Sequence, residues 1–592
     1  MSWEVIALAA GKAFFMVMFG MNVAVILTWA DRRQGAMIND RVGPNRAVAW
    51  LPKRLAQAMV LGPAVLIAAA VLGYVYTHKV EGAPRLGRAL LFSQLAIFAL
   101  WAVLLAIGGR VARRGVKNSF DAWVKSIGDP RNFLWLGLAA HAVTLAVAAL
   151  MRGTDLGRNL REVGYGAGPA VFAAALVGGA AYAAWSFEKV ERVGLRLFGL
   201  LHPAADGLKT IWKEDFIPPN ADKFLHGLAP IVSFFPALVV MAVVPFGDTL
   251  CFGTKNGQLD FSQLQRVVPR EGLCAEGAVP LQVLDVNVGI LYFFAVAGTG
   301  IVGAALAGWA SDNKFSLLGG VRAASQMVSY EVTLGLTIVG ALMVYGTLRI
   351  DEMVRWQTQN TWGIFVQPLA FVLFFTAAVA ESKRIPFDLP EGESELVAGY
   401  FTEYSGMKFA MFFFAEYVAV VASSALLTVL FLGGWHLPFI DRSGLHIQIG
   451  DTVLLHQTLS HVAVIVIGVL AFIGKVIALS WLQLMIRWTL PRFRYDQLMR
   501  LGWRKLLPAS LVNILVTGLV MLLIAGASGS VQNGLKVAAD VTQLVVAVGG
   551  VCLVVWFVVF VTSPVKKKRI LASTAAQFAA QLGGTRTARM GA

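Results

Sequence analysis

Charge is scarce in this chain. Only 14% of its 592 residues are Asp, Glu, Lys or Arg, against about one quarter in an ordinary soluble domain, which excludes a conventional soluble globular fold. Cysteine is nearly missing: Cys251, Cys274 and Cys552 are the whole set, with no CxxC pair. That leaves no ligand set for an iron–sulfur cluster or a structural zinc site. The eight histidines are scattered without an HExxH spacing, and no nucleophile elbow occurs, so neither an intramembrane metalloprotease nor a hydrolase is indicated. The first residues, Met1-Ser2-Trp3-Glu4, lack a basic region, and the apolar run then continues to about Ala30. That is too long for a signal-peptide core and reads as a retained span.

What is present is apolar length. Hydrophobic residues make up 57% of the chain, mean hydropathy is +0.68, and runs of about 20 apolar residues, each able to cross a bilayer as a helix, recur from end to end. A backbone in lipid must satisfy its own hydrogen bonds, so the expected fold class is all-α, a polytopic transmembrane helical bundle. About thirteen spans are expected, near 5–30, 56–77, 89–108, 133–151, 168–186, 227–248, 286–310, 329–347, 363–380, 409–433, 461–486, 507–527 and 541–562. Lys and Arg concentrate in alternate loops, which places the N-terminus outside and the C-terminus in the cytoplasm. The net charge of +16 is mostly this topology signal. Lys566-Lys567-Lys568-Arg569 suits a tail near anionic headgroups, and no nucleic-acid partner is implied. Cys251 and Cys274 share an outer loop, where a disulfide and two unpaired thiols are both compatible with the sequence.

The polar sequence of chemical interest falls on the cytoplasmic side. Residues 381–408 carry Glu381, Asp388, Glu391, Glu393, Glu395 and Glu403 between Pro386, Pro390 and the next apolar run. An acidic, proline-braced loop at the membrane boundary can hold protons beside a hydrophobic cavity. Lys475 and Glu416 lie inside apolar runs, where an ionisable group is expensive and normally faces a polar cavity or an opposite charge. Glu331 and Glu381 sit at span ends, where simple access to water is an equal reading. Gly298, Gly300 and Gly303 match the GxGxxG spacing but inside an apolar helix with no preceding strand, so close helix packing is the expected role and no nucleotide site follows. Leu200, Leu201, Leu208, Ile211 and Trp212 form a short amphipathic segment suited to a membrane surface. From the residues alone, a proton or ion pathway, a secondary transporter and an anchor for a soluble enzyme remain open.

Five stretches resemble the H-subunit family of proton-pumping NADH:quinone oxidoreductase (respiratory complex I). They are INDRVGPNR (38–46), GLLHPAADGLK (199–209), GWASDNKFSLLGGVRAASQMVSYE (308–331), PFDLPEGESELVAGYFTEYSGMKF (386–409) and LPRFRYDQLMRLGW (490–503). They occur in the family's order and on the side that the basic residues assign to the cytoplasm. The resemblance covers roughly residues 1–46 and 198–527. It divides the chain into a first span and loop (1–46), an inserted four-helix segment (47–197), family core helices (198–527), and an extra span with a basic tail (528–592). Asn39 and His202 replace the family's usual glutamines, and Asp31 its usual glutamate.

The resemblance implies a bacterial inner-membrane subunit at the junction with the peripheral redox arm. It would line a quinone chamber together with peripheral-arm subunits, contact other membrane-arm subunits, and bind no iron–sulfur cluster, FMN or NADH. Quinone would be a substrate held at the interface with those partners. Carried over, the quinone-site candidates are Arg32, Arg41, Arg46, Asp206, Arg322, Arg384, Asp388 and Glu391. The proton-path candidates are Glu331, Glu381, Glu393, Glu395, Glu403, Glu416 and Lys475. No residue is expected to catalyse by itself or to bind a metal. The membrane anchor of an energy-converting hydrogenase is the nearest alternative, distinguished by which soluble subunits accompany the chain.

Overall fold

The computed structural model describes residues 3–39, 43–44, 47, 49–75, 173, 176–178, 180, 192–195, 199–255, 258–264, 278–442, 444–449, 452–458, 461–527 and 529–562. The chain divides into two compact units: Met1–Met59 with Phe187–Ala547, and Val60–Ser186 with Val548–Ala592. The candidate site lies wholly in the first. Among the described residues seven helices are long and apolar enough to cross a membrane. The spans expected near 89–108 and 133–151, most of that near 168–186, and the tail at 566–569 lie outside the described residues.

The helices used below are α1 (Trp3–Ile38), α2 (Lys53–Val75), α3 (Leu201–Trp212), α4 (Lys223–Val239), α5 (Gly289–Ala310), α6 (Lys314–Tyr345), α7 (Ile350–Gln359), α8 (Pro368–Glu381), α9 (Gly406–Phe431), α10 (His461–Thr489), α11 (Tyr495–Leu501), α12 (Leu507–Ala525) and α13 (Gly529–Thr562). Helix α9 is the central pillar: 83% of its apolar window is buried, against 22% for α10. Its neighbours include α1, α4, α8 and α10. A charge on α9 is thus held inside protein, whereas α10 and α12 turn long apolar faces outward, including Leu470, Leu515, Leu519 and Leu522. That is the pattern of helices bathed in lipid.

Two expected spans change shape. The stretch 314–328, read as part of a cytoplasmic loop, is helical and continues without break into α6. Asn313 caps it by accepting from the Phe315 N–H at 2.9 Å, and Gly319 and Gly320 let it pack closely. A Cβ on Gly320 would stand 3.0 Å from Ala304 O on α5, and one on Gly319 would stand 2.6 Å from Tyr400 N. The span expected over 363–380 is broken at Gln367 into a single turn, Gly363–Val366, and α8. Pro368 opens α8, a position where its missing N–H costs nothing.

The all-α expectation holds with additions. Three small antiparallel sheets occur: β1 (Ala49–Pro52) with β2 (Arg192–Leu195); β3 (Leu250–Lys255) between β4 (Gln258–Leu264) and β5 (Ala278–Val279); and β6 (Ile440–Asp441), β7 (Gly444–Ile449) and β8 (Thr452–Thr458) in order. Apolar-run reasoning passes over them because their strands are short and lie between the long apolar runs. Cys251 is disulfide-bonded. Cys274 lies outside the described residues, and Cys552 is a free, exposed thiol.

Loop contacts define the two ends of this unit. At one end the acidic loop meets the segments before α4, α6 and α11. Ser405 Oγ donates to Glu214 O at 2.7 Å, Asn313 Nδ2 to Glu403 Oε1 at 2.7 Å, and Phe493 N to Pro386 O at 3.1 Å. At the other end Arg442 clasps Asp248 with two bonds of 2.5 and 2.6 Å, and Arg349 reaches Asp285 at 3.1 Å.

Candidate functional site

The acidic loop folds inward. Gln326 on α6 donates to Ala380 O and Phe387 O at 2.7 and 2.8 Å, fastening the loop's beginning to the bundle. Gly399 closes it: the residue has φ +56°, and a Cβ there would run into Pro390 O. Asp388, Lys383 and Arg384 are consequently buried, each at most 7% exposed, and the loop carries charge into the protein interior.

A continuous charged and aromatic network results. Arg384 Nη2 stands 3.1 Å from Glu416 Oε2 on α9. Tyr400 OH donates to Glu416 Oε1 at 3.1 Å and accepts from Lys383 Nζ at 2.9 Å. The Arg384 guanidinium lies 4.2 Å from the centre of the Tyr417 ring, within cation–π range. Tyr417 OH then donates to Asp31 Oδ2 on α1 at 2.9 Å, and Asp31 also accepts from Arg487 Nη1 at 2.6 Å and Trp488 Nε1 at 2.8 Å. Asp31 is both paired and hydrogen-bonded, as a buried charge requires, whereas Arg384 Nη2 and Glu416 Oε2 are held by the ion pair alone, with no hydrogen bond among the described residues. The chain of contacts thus runs from the loop, through α9, to α1 and the end of α10.

A cavity of about 80 Å³ opens against this network, lined by Glu381, Ser382, Lys383, Glu416 and Ser423 on its polar side and by Pro236, Val240, Phe293 and Met327 on its apolar side. It has room for a handful of waters. Glu331, on α6, is half-buried and fills the space left by Gly298: a Cβ there would stand 2.7 Å from Glu331 Oε1. Gly300 lines the cavity. A Cβ on Gly303 would stand 2.7 Å from Ser233 N on α4. The three glycines of the GxGxxG spacing therefore make room for a carboxylate, a cavity and a helix crossing.

Burial governs the titration of the loop. It pushes the Asp388 carboxyl up to about 6, against the pull of Arg492, which stands 3.2 Å away. Burial, then the charges of Glu416 and Asp388, hold Glu391 well above the ordinary carboxylate range. Burial also lowers Lys383, with Glu416 and Glu391 opposing. Carboxyls moved toward neutrality can take up and release protons near physiological pH.

The expected site residues fall into separate groups. Arg32 and Asp206 pair at 2.6 Å on the surface, nearly half exposed, and Arg322 pairs with Glu395 at 2.7 Å. Arg384, Asp388, Glu391, Glu381, Glu331 and Glu416 gather around the network and cavity just described. Glu403 stands apart, holding Asn313. Arg41 and Arg46 lie outside the described residues, as does the side chain of Glu393. Lys475 is removed toward the opposite end, where its Nζ donates to Leu432 O, Gly434 O and His436 O at 2.7, 3.0 and 2.6 Å. Sequence reasoning omitted Lys383, Tyr400, Tyr417, Arg487, Trp488 and Arg492. The adjacency of Lys383 and Arg384 to Glu381, and of Tyr417 to Glu416, was the available signal.

His202 bonds at both ring nitrogens, to Gly199 O at 3.1 Å and to the Ala47 N–H at 3.4 Å, two-ended contacts of a kind that an amide side chain can also make. The amphipathic segment is α3, with Leu208, Ile211 and Trp212 exposed on it, as expected of a helix lying at a membrane surface.

A buried network of paired charges set among apolar helices defines the class: a polytopic membrane protein with ionisable groups inside its helical bundle. Residues 181–518 match the family model described as NADH dehydrogenase. The chain is 42% identical over 326 residues to the H 1 subunit of NADH-quinone oxidoreductase from Cytophaga hutchinsonii, covering 55% of this chain and 85% of that protein. It is 45% identical over 325 residues to the H 1 subunit of the same enzyme from Geobacter sulfurreducens, covering 55% and 82%. The H subunit from Flavobacterium psychrophilum is 41% identical over 352 residues, covering 58% and 93%. The chain belongs to the H-subunit family of NADH-quinone oxidoreductase, and is a multi-pass inner-membrane component of complex I whose partners are other subunits of that enzyme.

Proposed function

We propose that this protein forms the membrane side of the quinone chamber and converts quinone reduction into a change of protonation inside the bilayer. The observation that carries the reading is the joining of the acidic loop to buried Glu416 through Arg384, Lys383 and Tyr400 beside a small cavity. Arg32, Arg41, Arg46, Asp206 and Arg322 are assigned to the chamber and its mouth, with Arg384, Asp388 and Glu391 at its floor. Quinone reduction consumes two electrons and two protons. Drawing protons from the loop changes its charge, and that change acts on Glu381, Glu331 and Glu416, a coupling free energy between sites. Peripheral-arm subunits complete the chamber. The orientation follows the basic residues, with the loop in the cytoplasm, and residues 47–197 and 528–592 are additions to the family core.

The test is Glu381→Gln and Glu331→Gln in the assembled enzyme reconstituted in liposomes. Each substitution should keep NADH oxidation measurable with an uncoupler present while lowering the protons moved per quinone reduced. Full pumping in both variants would refute the relay.

A further inference from the structure

At the end opposite the acidic loop a second cavity, of about 240 Å³, is lined by Asp248, Arg355, His436, Asp441 and Arg442 together with the α10 face at Val464, Ile465 and Gly468. It is large enough for ten or more waters. Its charges balance, two carboxylates against two guanidiniums, so it has no net preference for an ion. His436 is 5% exposed, and its Nδ1 has no hydrogen-bond partner among the described residues. An unsatisfied polar atom on the wall of a roomy polar cavity is a docking point for water.

Beneath this cavity sits Lys475. Along α10 the order is Gly468, lining the outer cavity; Lys475; Ser480; and Gln483. Ser480 Oγ donates to Ser424 Oγ at 3.0 Å, and Gln483 Nε2 donates to Ser424 Oγ at 3.0 Å and Ser423 Oγ at 3.4 Å. Ser423 lines the cavity that holds Glu381 and Glu416. Three serine hydroxyls and the Gln483 amide therefore lead from the carboxylate cavity as far as Ser480, one helical stretch short of Lys475, and the outer cavity approaches from the other side through His436.

The ammonium is not built to pass a proton along that row of groups. Its three donors meet the carbonyls of Leu432, Gly434 and His436, its charge lies 4.2 Å from the Trp362 ring centre, and it forms no ion pair among the described residues. An ammonium has no lone pair with which to accept a proton. The carbonyls it binds follow the C-terminus of α9, where a cation is favoured. A positive charge standing between two polar cavities repels hydronium and other cations.

We propose that Lys475, clasped by the 432–436 carbonyls and Trp362, is an electrostatic seal that keeps protons in the outer cavity from running back into the carboxylate cavity. The proposal rests on the reading that the carboxylate cavity carries protons, but its test needs no turnover. Repulsion by a unit charge at about 8 Å in an effective dielectric near 20 slows a second cation roughly thirtyfold.

The assembled enzyme, checked by native electrophoresis, is placed in liposomes containing a pH dye, and an acid jump is imposed without NADH. Lys475→Met should raise passive proton entry roughly thirtyfold over the wild type, and Lys475→Arg should stay tight. Where Lys475→Met does not assemble, Lys475→Gln, which keeps two donors without the charge, carries the same test. A neutral variant as tight as the wild type overturns the seal, including one that pumps less, since that outcome makes Lys475 a relay. Failure of both neutral variants to assemble also overturns it, in favour of a purely structural clasp. Loss of the Glu381 relay would leave these leak rates unaffected, so the two readings fail separately.

Discussion

Arg384→Met isolates the ion pair on which the network turns. Arg384 and Glu416 are 8% and 2% exposed at 3.1 Å, and both are held by the central helix and the loop pressed against it. Removing one member of a buried pair leaves the other charge without compensation and costs about 3–5 kcal/mol. Tyr400 still donates to Glu416, and Lys383 is bonded to that same hydroxyl, so the lower end, about 3 kcal/mol, is expected. Glu416→Leu should cost a comparable amount by stranding Arg384 over the Tyr417 ring. The double variant Arg384→Met/Glu416→Leu should recover most of the loss, because apolar replacement of a whole buried pair is close to neutral. Denaturant titration of the intact complex in detergent, scored by the fraction remaining assembled, gives the four corners of the cycle. A coupling energy of about 2 kcal/mol or more is expected. Additivity within about 0.5 kcal/mol would mean that the two residues do not interact, and the network as drawn would be wrong.

Further outcomes follow from the same geometry. Gly298→Ala places a methyl 2.7 Å from Glu331 Oε1; the carboxylate can swing aside, so the enzyme should assemble normally but pump fewer protons per quinone, and unchanged pumping would remove Glu331 from the path. Asp388 has its folded pKa raised to about 6, above the ~3.9 of a free aspartate. The folded state therefore binds more protons than the unfolded between those values, and the carboxylate's contribution to stability falls as pH rises from about 4 to about 6. Asp388→Asn should gain on the wild type across that window by on the order of 2 kcal/mol, read as a changed slope of stability against pH; parallel slopes would contradict it.

The helical framework was legible because lipid leaves a spanning chain few choices, and long apolar runs announce them. The exception at 314–328 is instructive. Ser316, Gly319 and Gly320 look like loop residues, yet small side chains are what a helix needs where α5 and the Gly399–Tyr400 backbone crowd against it. The carboxylates were legible through the cost of their position. Their partners were not: Tyr417 and Asp31 are 386 positions apart, and an aromatic within an apolar run reads as packing until its hydroxyl is seen to bond. Lys475 announced that it needs compensation, but a sequence does not say whether a carboxylate or three carbonyls will supply it. The resemblance to a known family supplied the chemistry that none of these features states alone.

The most direct measurement is redox-triggered infrared difference spectroscopy on the intact, quinone-supplied enzyme. Quinone reduction should produce a carboxyl band change that disappears in Glu381→Gln and shifts in Arg384→Lys. Identical difference spectra in the wild type and both variants would contradict the claim that this protein turns quinone chemistry into protonation change within the membrane.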